Sequence, residues 1–231
     1  MDDSTSLSTE IEVFAAFLEH CVKCKSADAP VVLDAFCDRF SIGANDIHSV
    51  VGKHSLDESG ARLVLRAFYL LWDNPACSHH YQPKALPALF SDASGNSSVM
   101  ALFGGQHGGA INCIYEASWL LDVYGPLVRD YFSSMSAFLD AESKDPRVAQ
   151  VYYNGLDPYK WICKPETAPC EDYVRGIAVS LPIVGLTQLM QIMVLFKTLR
   201  VSPGELVSRF KGKHYYLQNE QDATATTLHI Y

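Results

Sequence analysis

Gly104-Gly105-Gln106-His107-Gly108-Gly109, following the apolar run Ser98–Phe103, is the sharpest local concentration of residues suited to chemistry. Glycines let backbone N–H groups come close to a ligand. Amides at Gly104, Gly105, Gln106 and Gly108 could hold a phosphate or stabilise an oxyanion. The spacing is not that of a dinucleotide-binding turn. No Gly-Lys-Ser or Gly-Lys-Thr follows, so a Walker loop is set aside too. A tight strand-to-helix turn without a ligand accounts for the same spacing. Acyl chemistry would need a serine or cysteine with a base in reach and a third group to orient that base. His107 could be such a base, but no Gly-x-Ser-x-Gly elbow is present to face it. Cys113 and Cys163 have no partner that spacing can assign.

The remaining candidate ligands read less sharply. Cys21-Val22-Lys23-Cys24, with His20 beside it, has the spacing a zinc or redox pair requires. It lies at the end of an apolar helical run without a second CxxC, and ordinary helix-face cysteines are the preferred reading. His79 and His80 on an extended chain would point to opposite faces, so they are read as solvent-exposed rather than chelating. No metal or tightly bound cofactor is expected. Seven cysteines, an odd number, argue against a disulfide framework. The net charge of -8 and the lack of a basic stripe argue against nucleic acid.

Positioning these residues falls to elements that periodicity outlines. With 231 residues and 48% apolar content, the chain can bury a sizeable core. Residues 1–10 are expected to be a disordered tail. Residues 11–75 read as a helical region: apolar spacing marks helices over Ile11–Cys24 and Val31–Phe40, a short one capped by Asp46, and another over Asp57–Trp72. Residues 76–97, with Pro83, Pro87 and Gly95, read as a linker. The run ending at Phe103 reads as a buried strand. Glu116–Ala137 is helical, with Pro126 kinking or dividing it. Asp157-Pro158 starts a short helix, and Pro182 is placed in the first turn of a long one. That helix, within Ile177–Leu199, carries Gln188, Gln191 and Lys197, so burial in a soluble protein fits it better than a membrane span. Ser202-Pro203-Gly204-Glu205 starts another helix. The tail 213–231 differs in kind. It offers at most an edge strand over Leu228, Ile230 and Tyr231, and a frayed end is preferred. No targeting segment stands out, and a cytoplasmic protein is the expectation.

Several of these motifs, taken in order, resemble one family. Ala101-Leu102-Phe103-Gly104-Gly105-Gln106, Leu121-Asp122-Val123-Tyr124-Gly125-Pro126-Leu127-Val128, Tyr153-Asn154-Gly155-Leu156-Asp157 with Trp161, Ser180–Leu189 and Val201–Leu206 resemble the opening of the acetyl (starter) acyltransferase domain of fungal fatty acid synthase beta subunits. Gly43-Ala44-Asn45-Asp46-Ile47-His48 is similar to the helical N-terminal region of the same subunit. The starter-unit acyltransferases of fungal polyketide synthases are related.

The resemblance implies an α/β fold: a mainly helical N-terminal region, then an incomplete acyltransferase domain with an α/β-hydrolase-like core over residues 98–212. It implies acetyl transfer from acetyl-CoA or another acyl-CoA, through a serine ester, to an acyl carrier protein. Gln106 would lie by the oxyanion hole. Two departures matter. His107 stands where the family usually has glycine. The family's Gly-His-Ser-x-Gly elbow is replaced by Lys213-His214-Tyr215-Tyr216, so no covalent transfer by this chain alone is expected. The readings that follow are an inactive synthase-type acyltransferase fragment, a scaffold for the synthase alpha subunit or carrier protein, and, with least support, an independent enzyme using His107 or a cysteine.

Overall fold

The computed structural model describes residues 3–42, 46–81, 101–103, 109–199 and 217–219. These fall into two compact units. The first takes the described residues before position 85, together with Leu120–Arg129. The second takes those of 85–119 and from Asp130 onward.

The first unit is built on α1 (Asp3–Lys23), α2 (Ala29–Arg39), α3 (Ile47–Lys53) and α4 (Glu58–Tyr69), followed by a 3₁₀ segment, Pro75–Tyr81. The starts of α2, α3 and α4 have local causes. Pro30 sits in the first turn of α2, where its missing N–H costs nothing. Asp46 accepts a hydrogen bond from the Ser49 N–H at 3.3 Å, and Asp57 accepts from the Gly60 N–H at 2.7 Å. Ile11, Leu18, Leu33, Phe36 and Val64 are fully buried between these helices, and each is worth about 2 kcal/mol. Phe14, Phe36 and Phe40 meet edge-on or tilted among them.

Two expectations are corrected here. The end placed in a disordered tail is helical from Asp3, because Ile11 is in the core and Glu10 takes a two-pronged grip from Arg39 of α2 at 2.7 and 2.8 Å. The segment read as a linker from residue 76 begins as packed structure. Cys77 and Tyr81 are buried, and the Tyr81 hydroxyl donates to the Phe68 carbonyl at 2.7 Å. Residues 82–97 of that segment lie outside the described residues.

The second unit contains β1 (Ala101–Phe103), α7 (Pro158–Cys163), α8 (Glu171–Arg175), α9 (Ile177–Leu199) and β2 (Leu217–Asn219). Two further helices, α5 (Gly109–Val123) and α6 (Gly125–Ser143), contribute to both units. Pro126 divides what the sequence left as one kinked or two separate elements. It stands in the first turn of α6, and α5 closes with the Tyr124 N–H on the Leu120 carbonyl at 2.8 Å. Leu156, Trp161, Tyr173, Val174, Val179 and Ile183 form the core, with Ile111, Cys113 and Ile114 of α5 packed against it.

Helix α9 starts at Ile177, so Pro182 falls inside it rather than in its first turn. Proline cannot supply the N–H that the carbonyl four residues earlier would receive. That carbonyl, on Ala178, instead accepts the Tyr152 hydroxyl at 3.1 Å. By length and composition α9 is apolar enough to cross a membrane. Its Val179, Ile183, Val184, Leu186 and Met190 are buried in the protein, while Ile177, Leu181 and Leu189 are exposed.

Of the α/β expectation, the helical part is what the described residues show. The described residues are mostly helical, and the strands among them are β1 and β2, paired in parallel with Ala101 opposite Leu217 and Phe103 opposite Asn219. A hydrolase-like sheet is not seen among them. The sequence marked β1 but not β2. Leu217-Gln218-Asn219 is mostly polar, and a ladder is made by backbone groups whatever the side chains. The helix expected from Ser202 and the strand at Leu228–Tyr231 lie outside the described residues.

Candidate functional site

The glycine-rich stretch Gly104–Gly108 is flanked by described elements on both sides. β1 ends at Phe103 and α5 begins at Gly109. Gly104, Gly105, Gln106, His107 and Gly108 lie outside the described residues. What the fold supplies around them is a strand, a short connection and a helix, with a second strand paired in parallel beside the first.

Cys113 lies one turn into α5. Burial, then Glu116, pushes its thiol up to about 11, so it is a neutral thiol rather than a nucleophilic thiolate at neutral pH. Its backbone carbonyl accepts the Thr187 hydroxyl of α9 at 3.3 Å, and that hydroxyl also donates to the Ile183 carbonyl at 2.9 Å. The residues that follow the glycine turn are therefore packed in place by α9. Cys163 and Cys170 are exposed and free. In the CxxC pair, Cys21 is buried while Cys24 is exposed with its sulfur 3.5 Å from His20 Nε2.

The other motifs are structural. In Leu121–Val128, Asp122 is held by Arg62 at 2.5 Å and by Arg66 at 3.0 and 3.1 Å, while Arg66 also donates to Glu19 of α1. Tyr124 of the same motif packs on Tyr69 at 5.1 Å and stacks on His48 at 6.2 Å between ring centroids. The stretches Asp46–His48 and Leu121–Val128 thus meet in one aromatic cluster. Burial pulls the His48 imidazole below the usual histidine range against the opposing charge of Asp46. Burial, then Asp46, pushes the Tyr124 phenol up to about 12.

Tyr153–Asp157 is a built turn. Gly155 has φ +72°, a left-handed conformation that favours glycine, and its carbonyl accepts the Tyr173 hydroxyl at 2.7 Å. Asp157 caps α7 through the Lys160 N–H at 3.0 Å and accepts the buried Ser136 hydroxyl at 2.7 Å. In these motifs the polar and aromatic side chains carry packing and hydrogen bonds. Partners such as Ser136 for Asp157, Tyr173 for Gly155 and Arg62 for Asp122 lie 21, 18 and 60 residues away, and spacing gives no signal for them.

One grouping runs against expectation. His79 and His80 come together, with ring centroids 3.9 Å apart, and both face Asp34 of α2. Inside a 3₁₀ turn neighbouring residues are separated by about 120° rather than the near 180° of a strand.

No family model matches the chain. Among curated proteins, the chain is 30% identical to fatty acid synthase beta subunit aflB of Emericella nidulans over 72% of its own length. It is 28% identical to fatty acid synthase beta subunit pigK of Monascus ruber over 94%, and 30% identical to the fatty acid synthase subunit beta of Schizosaccharomyces pombe over 82%. It spans 8%, 11% and 9% of the lengths of these three proteins. The matched share is most of this chain, and it agrees with the motifs that run in order from Gly43 to Leu206. This chain is a relative of the fungal fatty acid synthase beta subunits.

Proposed function

We propose that the chain serves fatty acid synthesis in the cytoplasm as an acyltransferase-like element that holds an acyl-CoA without forming an acyl ester of its own. The observation that carries this reading is that a strand ends just before Gly104–Gly108 and a helix begins just after it, in a chain related to synthase beta subunits whose 231 residues hold no Gly-x-Ser-x-Gly elbow. In this reading the amides of Gly104, Gly105 and Gly108, with Gln106, receive the thioester carbonyl or a phosphate of acetyl-CoA. An imidazole at His107, where the family usually has glycine, would narrow such a site. Covalent transfer to a carrier protein would require a nucleophile that these 231 residues do not present in a Gly-x-Ser-x-Gly elbow, because positioning without a nucleophile does not make an ester.

Incubation of the purified chain with radiolabelled acetyl-CoA tests both halves. The expected result is reversible retention in equilibrium dialysis, weakened by Gln106→Ala, and no label on protein after denaturation. Label that survives denaturation on a serine or cysteine, with turnover lost when that residue is replaced, refutes the proposal.

A second reading, a non-catalytic scaffold for the synthase alpha subunit or acyl carrier protein, draws on the exposed Ile177, Leu181 and Leu189 of α9. Leu181→Glu would then abolish capture by a purified alpha subunit. Unchanged capture counts against it.

A further inference from the structure

We propose that Asp34, His79 and His80 form a binding site for one divalent cation of the zinc class. The carboxylate and the two imidazoles bring their ligand atoms within 4.8 Å of one another. His79 Nε2 stands 3.7 Å from Asp34 Oδ1, and His80 Nε2 stands 2.5 Å from the same oxygen. Metal–nitrogen bonds of about 2.0–2.1 Å in a tetrahedron put neighbouring ligand atoms about 3.4 Å apart. The His79–Asp34 distance is already near that edge. The His80–Asp34 hydrogen bond has to open by roughly 1 Å to reach it, a rotation that the half-exposed Asp34 side chain can make.

The ligands sit on elements that are built without the ion. The 3₁₀ segment is anchored on both sides of the histidines by buried Cys77 and Tyr81. Its first turn is closed by the Ala76 N–H on Asn74 Oδ1 at 3.0 Å and by the Ser78 hydroxyl on the Pro75 carbonyl at 2.9 Å. Asp34 follows buried Leu33 and precedes buried Phe36 and Cys37 on α2. Preorganisation of this kind lowers the ordering cost of binding. His80 is nearly buried while His79 and Asp34 remain exposed, so the ion would rest on the surface with its remaining positions open to water. Two imidazoles and one carboxylate favour zinc, cobalt, nickel or copper over magnesium and calcium, which prefer all-oxygen shells.

The test uses the full chain, free of any histidine tag and dialysed against a chelator. Titration with CoCl₂ is followed by visible absorption, and titration with ZnCl₂ by calorimetry. The expected result is one ion per chain, with no thiolate-to-cobalt band in the near ultraviolet. MgCl₂ should give no heat. His79→Gln and His80→Gln should each weaken zinc binding by about tenfold or more. The double variant His20→Gln/Cys24→Ser should bind as the parent does. His79 is exposed, so its variant should melt like the parent and report ligation alone. Absence of binding, binding unchanged in His79→Gln, or a thiolate band that disappears with Cys24 would each overturn the proposal.

Discussion

Removing Arg66 should destabilise the first unit by about 2 kcal/mol, a figure set by what its partners keep. Arg66 is 27% exposed, and it reaches Glu19, 11% exposed, and Asp122, 31% exposed. In Arg66→Met the stem length and helix propensity are kept while three charge-assisted hydrogen bonds are lost. Neither carboxylate is orphaned. Glu19 keeps Lys23 at 3.0 Å, and Asp122 keeps Arg62 at 2.5 Å. The cost therefore falls below the 3–5 kcal/mol typical of a buried charge left alone, and above the roughly 0–1 kcal/mol of a surface pair. For a chain of this size it corresponds to a loss of about 6 °C in Tm.

The effect should depend on pH in a defined direction. Burial pushes the Glu19 carboxyl up, but Lys23 and Arg66 together outweigh it and leave it below the ordinary value of 4.5. A carboxyl lowered on folding contributes stability above its unfolded value, and the contribution fades as pH falls through the folded one. Thermal unfolding followed by circular dichroism at pH 7 and at pH 3 should thus show the gap between parent and Arg66→Met narrow in acid. A gap under about 0.5 kcal/mol at pH 7, or one unchanged in acid, would refute the view that this corner is held by charge.

His48 is kept neutral by burial, with its pKa lowered from 6.5. The unfolded state then binds the proton more readily, so stability is full above about pH 6.5 and falls as the pH drops below it. His48→Gln should flatten the fall in Tm between pH 7 and pH 5.5. Tyr152→Phe should cost about 1 kcal/mol by stranding the Ala178 carbonyl. The same substitution should cost less in a Pro182→Ala background, where a restored amide can serve that carbonyl. Equal cost in both backgrounds, read by urea unfolding, would count against this account of the proline.

Features within one turn of the chain were legible in advance. Asp46 and Asp157 were read as helix starts, and both cap as their side chains allow. Pro126 was seen to interrupt its helix. Features that depend on distant partners were not. His79 and His80 looked divergent because an extended chain was assumed, and Asp34 lies 46 residues from His80. Asp122 and Tyr124 stand in a stretch that reads only as helical and family-like. Their roles appear only when Arg62, Arg66 and His48 are brought against them. Pro182 was placed at a helix start because spacing cannot show that a tyrosine hydroxyl replaces the missing amide.

The first unit is discontinuous in sequence, since its core needs Leu120–Arg129 as well as the leading helices. On a ribosome the leading helices emerge first and must wait for that later stretch. At roughly 5–20 residues per second the delay is a few seconds. During it Arg62 and Arg66 lack Asp122, and Tyr69 lacks Tyr124. The nascent chain is then a natural client for holding factors, and slow codons between positions 81 and 129 would lengthen its exposure to proteolysis.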